Sequence, residues 1–91
     1  MVKIAQTKKA ILPLFVTLTY PGVYSEDPRI WKRDLRVFWM RFKRSFPCAS
    51  AIWKLEFQKR GAPHYHLLIW GVEYAHALFR VPGMWFEVCI S

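Results

Sequence analysis

His64 and His66 stand one residue apart, and Glu56 precedes them by eight and ten positions. Two imidazoles and a carboxylate brought to one place can hold a divalent cation and leave coordination positions open. Such a cation polarises a substrate oxygen. Two histidines at this spacing also arise often by chance, and a lone pair is more often structural than ligating. The added glutamate and the turn residues Gly61-Ala62-Pro63 bring the metal-binding and structural readings level.

The elements that would position these residues are legible on either side of them. Residues 51–57 alternate as a strand, with Trp53, Leu55 and Phe57 on one face and Ile52, Lys54 and Glu56 on the other. Residues 59–63 read as a turn. Residues 64–70 alternate again, with His64, His66 and Leu68 opposite Tyr65, Leu67 and Ile69. The expected hairpin pairs Gln58 with His64, which sets Glu56 opposite His66 on the histidine face. The apolar set on the other face resists a one-residue slip, because it demands the core. Lys54 shares the Glu56 face, and Lys59 and Arg60 lie in the turn. All three are candidates for nucleic-acid backbone contacts, against the ordinary alternative of surface charge. Thr17 and Thr19 share one strand face that could approach the metal site, but β-propensity alone is the favoured reading.

Upstream, residues 14–20 form an expected strand closed by Pro21-Gly22. Asp27-Pro28 is a helix start, a capping carboxylate followed by proline at the first helical position. A helix over 28–46 follows, with Trp31, Leu35, Phe38, Phe42 and Phe46 along one face. Its remaining surface is basic, with seven Lys or Arg against Asp34 alone in 28–46. Arg36, Lys43 and Arg44 join the candidate DNA-binding set. Residues 1–10 read as a basic, flexible lead-in and 11–91 as one domain. Residues 73–79 suggest a short helix broken by Pro82-Gly83, followed by an apolar run to residue 90. The expected class is α+β, a mostly antiparallel sheet with flanking helices, read as stopping short of a full domain.

With 91 residues, a formal charge of +8 and a pI near 9.9, the chain suits a polyanionic partner, nucleic acid first and an acidic membrane surface second. The longest apolar stretch is too short to cross a bilayer and no leader pattern is present, so a cytoplasmic address is expected. Cys48 and Cys89 have no close-spaced partner, which argues against a structural zinc site or a disulfide framework. Of the five tryptophans, Trp39 and Trp70 are the expected stacking surfaces for bases, and Trp31 and Trp53 the expected core residues. His76 reads as a packing or surface residue.

The string Glu56-Phe57-Gln58-Lys59-Arg60-Gly61-Ala62-Pro63-His64-Tyr65-His66-Leu67-Leu68 resembles the metal-binding motif of rolling-circle replication initiators, the His-hydrophobic-His (HUH) endonucleases of phages and plasmids. Phe15-Val16-Thr17-Leu18-Thr19-Tyr20-Pro21 is similar to that family's first motif, and the likeness covers residues 12–71. The resemblance implies His64, His66 and Glu56 as ligands of Mg²⁺ or Mn²⁺. It also implies a single-stranded replication origin as substrate, host replication proteins as partners, and nicking through a 5′-phosphotyrosine. The family's tyrosine lies well downstream on a helix with a lysine four residues on. Tyr20, Tyr24, Tyr65 and Tyr74 do not match it, so it is expected beyond residue 91. The competing expectation is a non-catalytic module, or an inactive fragment, that binds single-stranded DNA or RNA.

Overall fold

The computed structural model describes residues 2–6 and 13–90. The elements run β1 (Val2–Gln6), β2 (Leu14–Thr19), α1 (Pro28–Ser45), β3 (Ser50–Phe57), β4 (Pro63–Trp70) and α2 (Tyr74–Ile90). All strand pairs are antiparallel, in the order β1-β2-β4-β3, and this α+β architecture agrees with the expected class.

Alternation sets which face each strand buries. Leu14, Val16 and Leu18 of β2 and Tyr65, Leu67 and Ile69 of β4 are all at most 3% exposed. Both helices bury their apolar stripes against this face. From α1 come Trp31, Leu35, Phe38 and Phe42, joined by Phe46 at its C-cap, as their spacing requires. Asp27 caps α1, its Oδ1 accepting from Arg29 N at 2.9 Å, with Pro28 at the first turn. Trp85 of α2 is fully buried among Tyr20, Phe38 and Tyr65, and its Nε1 donates to Thr19 O at 3.0 Å. The second helix is thereby tied to the strand that borders the histidines. Among the described residues no helix covers the opposite sheet face.

Three features depart from the sequence expectation. Val2–Gln6, within the supposed flexible lead-in, form an edge strand that pairs Lys3 with Thr17. Residues 7–10 of that lead-in lie outside the described residues. The expected short helix broken at Pro82-Gly83 is instead one helix of 17 residues with Pro82 inside it. An interior proline costs about 3 kcal/mol, but Ala77, Val81, Met84, Trp85 and Val88 form one buried stripe across it. Burying large apolar side chains at about 1.5–3 kcal/mol each outweighs that cost. Finally, Trp53 and Phe57 are 55% and 58% exposed, not core, because β3 is the sheet edge.

The turn between β3 and β4 closes through Gln58 N to Ala62 O at 2.9 Å and Gly61 N to Gln58 O at 2.8 Å, with Gly61 at φ +85°. After β4 the chain turns at Gly71, φ +80°, where a Cβ would run into the Cys48 carbonyl. No helix among the described residues is long and apolar enough to cross a membrane.

Candidate functional site

The open sheet face is organised in cross-strand rows. One row reads Lys3, Thr17, His66 and Lys54, and the next Thr19, His64 and Glu56. Above the first lies an apolar row of Phe15, Leu68 and Ile52. The register of β3 on β4 is two residues away from the expected one, with Glu56 opposite His64 and Lys54 opposite His66. A shift of two preserves which face every side chain occupies, so hydrophobic patterning is blind to it. Glu56 and both histidines still share one face, and Glu56 reaches diagonally to His66, Oε2 to Nε2 at 3.5 Å.

The two imidazoles lie nearly parallel with centroids 4.5 Å apart. Thr17 Oγ1 and His66 Nδ1 share a hydrogen bond at 3.3 Å, which leaves Nε2 of His66 turned to Glu56. His64 Nε2 is shut off from solvent and has no hydrogen-bond partner among the described residues. Burial, then the neighbouring His66, lowers the His64 pKa, keeping this imidazole neutral at neutral pH, the form that ligates. The hydrogen bond and charge of Lys54, 2.5 Å from Glu56 Oε1, lower the Glu56 pKa.

This donor set suits a divalent cation in its chemistry: two imidazoles, a carboxylate whose pKa is lowered, and a buried ring nitrogen with no hydrogen-bond partner among the described residues. In the present conformation Glu56 is shared between Lys54 and His66. Among the described residues no three His, Cys, Asp or Glu side chains are already gathered around one cation position. A basin of about 310 Å³ lies beside the histidines, lined by Lys3, Thr17, Thr19, Gln58, His64 and His66. Lys3 is thus a neighbour of the site that sequence reasoning missed, and Thr17 and Thr19, read there chiefly as β-propensity, border the histidines. The period-2 alternation of 15–19 already puts both threonines on the face away from the core.

The six basic candidates do not form one surface. Lys54 stands in the site, and Lys59 is exposed in the adjoining turn. Arg60 is occupied within the fold, donating to Gly22 O at 2.7 Å, Tyr20 O at 2.8 Å and Gln58 Oε1 at 3.2 Å. Lys43 likewise donates to Pro47 O and Ala49 O at 2.9 and 2.8 Å. Arg36 and Arg44 are exposed on α1, across the sheet from the histidines. Arg36 lines a cleft against β3, and Arg44 a groove against α2. Trp39 is half-buried and Trp70 is 37% exposed. His76 packs edge-on to Phe46 at 4.8 Å, and both cysteines are free thiols.

None of the four tyrosines faces the histidines. Tyr20 and Tyr65 are buried on the helix side, and Tyr74 packs against the same core. Tyr24 spends its hydroxyl on Arg60 O at 3.0 Å. Among family models, that of the replication-associated protein ORF2 family matches residues 13–87, which span β2 through most of α2. No curated protein and no solved structure matches the chain.

Proposed function

Because the chain belongs to the replication-associated protein ORF2 family, we propose that its open sheet face is the metal-binding part of a single-strand DNA nicking centre. The role would be to open a rolling-circle origin. The observation that supports this most directly is the solvent-excluded His64 Nε2, without a hydrogen-bond partner among the described residues, on a ring stacked 4.5 Å from that of His66, whose own Nε2 is 3.5 Å from Glu56 Oε2. When bound by His64, His66 and Glu56, Mg²⁺ or Mn²⁺ would polarise an oxygen of the scissile phosphate.

The chain's own residues have separate tasks in this reading. Thr17 fixes the His66 ring through Nδ1 and leaves Nε2 for ligation. Glu56 enters the ligand set by exchanging its contact with Lys54. Lys54, so released, faces the phosphate from the same row and offsets its charge, and Lys59 holds the backbone next to it. Transfer forms a bond from a tyrosine oxygen to phosphorus as the bond from phosphorus to the 3′ oxygen breaks. The 5′-phosphate stays on the tyrosine, and the proton leaving the phenol is balanced by the one taken up by the 3′ oxygen. Since all four tyrosines here lie off the histidine face, that tyrosine belongs to a segment other than residues 1–91.

A second reading has its own support: Glu56 is held by Lys54, and no three-donor group is assembled among the described residues. On that reading the domain binds single-stranded DNA or RNA without cutting it. Calorimetric titration with Mn²⁺ separates the two. Nicking predicts one saturable site per chain, lost in His64→Ala and His66→Ala and weakened in Glu56→Gln. It also predicts metal-dependent covalent capture of a 5′-phosphate from a labelled oligonucleotide once the tyrosine-bearing segment is present. Absence of saturable binding to the wild type refutes the nicking reading.

A further inference from the structure

We propose that the cleft between α1 and β3 is a base-binding pocket, taking one unstacked base of the strand that crosses the histidine face. The proposal rests on the reading of that face as a single-strand DNA site. The cleft has a volume of about 600 Å³, within the range of roughly 300–1,000 Å³ of small-ligand pockets. Trp39 and Trp53 line it, Leu35 and Ala51 contribute apolar surface, and Lys32 and Arg36 are exposed at its border. Among the described residues no carboxylate lines it. Two indoles with two exposed cations match a nucleotide, whose base is an apolar plane and whose phosphate is an anion.

Both indoles are held in place by the core. Trp39 stacks on Phe42 with centroids 5.4 Å apart and planes within 19°, and Trp53 is set edge-on to Tyr65 at 5.8 Å. A stacking partner fixed in advance loses little freedom on binding. The position of Trp53 links the pocket to the chemistry. Trp53 is 55% exposed on the edge strand and borders this cleft and also a second one of about 430 Å³, which is lined by Lys54, Glu56 and His66. A strand leaving the histidine row over the β3 edge meets Trp53 first, then Trp39, with Lys32 and Arg36 beside the following phosphates.

The test uses an oligothymidylate with a single 2-aminopurine, whose fluorescence is quenched when the base stacks. Wild-type protein should quench it. Trp53→Ala should bind about 5- to 150-fold more weakly and lose the quench, with Trp53→Phe restoring most of both. Arg36→Ala should lower the salt slope of binding by about 0.7, one single-strand phosphate contact. His66→Ala should lose Mn²⁺ yet keep the quench, so a failed metal site and a failed base pocket give different results. A tryptophan-dependent quench in a wild-type protein that binds no Mn²⁺ supports the pocket while the metal reading falls. Wild-type affinity and quench in Trp53→Ala overturn the proposal. So does a self-associating chain in which Trp53→Ala abolishes the dimer and leaves the quench unchanged.

Discussion

Replacing Tyr20 with phenylalanine removes one oxygen from the interior and leaves a carboxylate short of a donor. Asp34 is 4% exposed, the one buried charged residue among those described, and Tyr20 donates to its Oδ2 at 2.6 Å. Arg33, with Nη2 3.2 Å from Oδ1, is its cationic partner. Hydrogen bonds to charged groups contribute about 1.5–3 kcal/mol, and an unsatisfied buried acceptor incurs the desolvation cost in full. Tyr20→Phe should therefore destabilise by about 1.5–3 kcal/mol. At about 4–8 °C per kcal/mol for a domain of this size, that lowers Tm by about 6–24 °C. Urea unfolding of Tyr20→Phe, Asp34→Asn and the double variant provides the assay. In the asparagine background the same tyrosine change should cost only about 1 kcal/mol, the value of a neutral bond. Equal costs in both backgrounds, or a Tyr20→Phe effect below about 0.5 kcal/mol, refute the argument, since that is the range of ordinary surface substitutions. Mn²⁺ binding should survive Tyr20→Phe, because Tyr20 lies on the helix side of the sheet.

Further outcomes follow from the geometry. Gly71→Ala should cost more than about 2 kcal/mol in urea unfolding, since a left-handed conformation costs about 1–2 kcal/mol and the new methyl meets Cys48 backbone. Gly61→Ala should cost less than Gly71→Ala, the conformational part and at most the exposed Tyr24 hydrogen bond, because its nearest neighbour is a side-chain hydroxyl at 3.2 Å rather than backbone. In alkali, burial and then Asp34 push Tyr65 and Cys89 up to about 12, and burial and then the Asp34 hydrogen bond push Tyr20 up as well. All three are raised above their unfolded values. Their contribution is full below the unfolded pKa of about 8.5 for Cys and 10 for Tyr; that of Tyr65 and Cys89 is lost as pH rises through about 12, and that of Tyr20 only at higher pH still. The urea midpoint should fall across that window, less steeply in Tyr20→Phe. Arg60→Ala should lower stability by about 1–3 kcal/mol through its lost hydrogen bonds and leave the salt slope of DNA binding unchanged. Lys59→Ala should do the reverse, and a salt-slope change in Arg60→Ala of about 0.7 contradicts this division.

Local signals made most of the frame legible. The capping Asp27-Pro28 and the steps from Trp31 to Phe46 define α1, and alternation in β2, β3 and β4 assigns each side chain to its face. What stayed hidden depends on other parts of the chain. β1 has five residues, too few for periodicity to stand out, and owes its existence to pairing with β2. The continuity of α2 through Pro82 comes from burial on both sides of the proline, which local propensity opposes. Trp53 alternates like a core residue, and only the strand order makes it an edge. The partner of Glu56 escaped because a two-residue change of register leaves every face intact. Arg60 and Lys43 looked like free charge because their carbonyl acceptors lie where only the folded chain brings them.

The bare face of the sheet has an evolutionary consequence. The hydrophobic core lies on the helix side, while His64, His66, Glu56, Lys54 and Phe15 stand half-buried or exposed on the other. Substitutions there cost little stability, as surface changes generally do. Lineages can therefore lose, retune or replace the chemistry while the scaffold persists. An intact fold in a descendant says little about whether it still acts. The identities at those few open positions are the record to read.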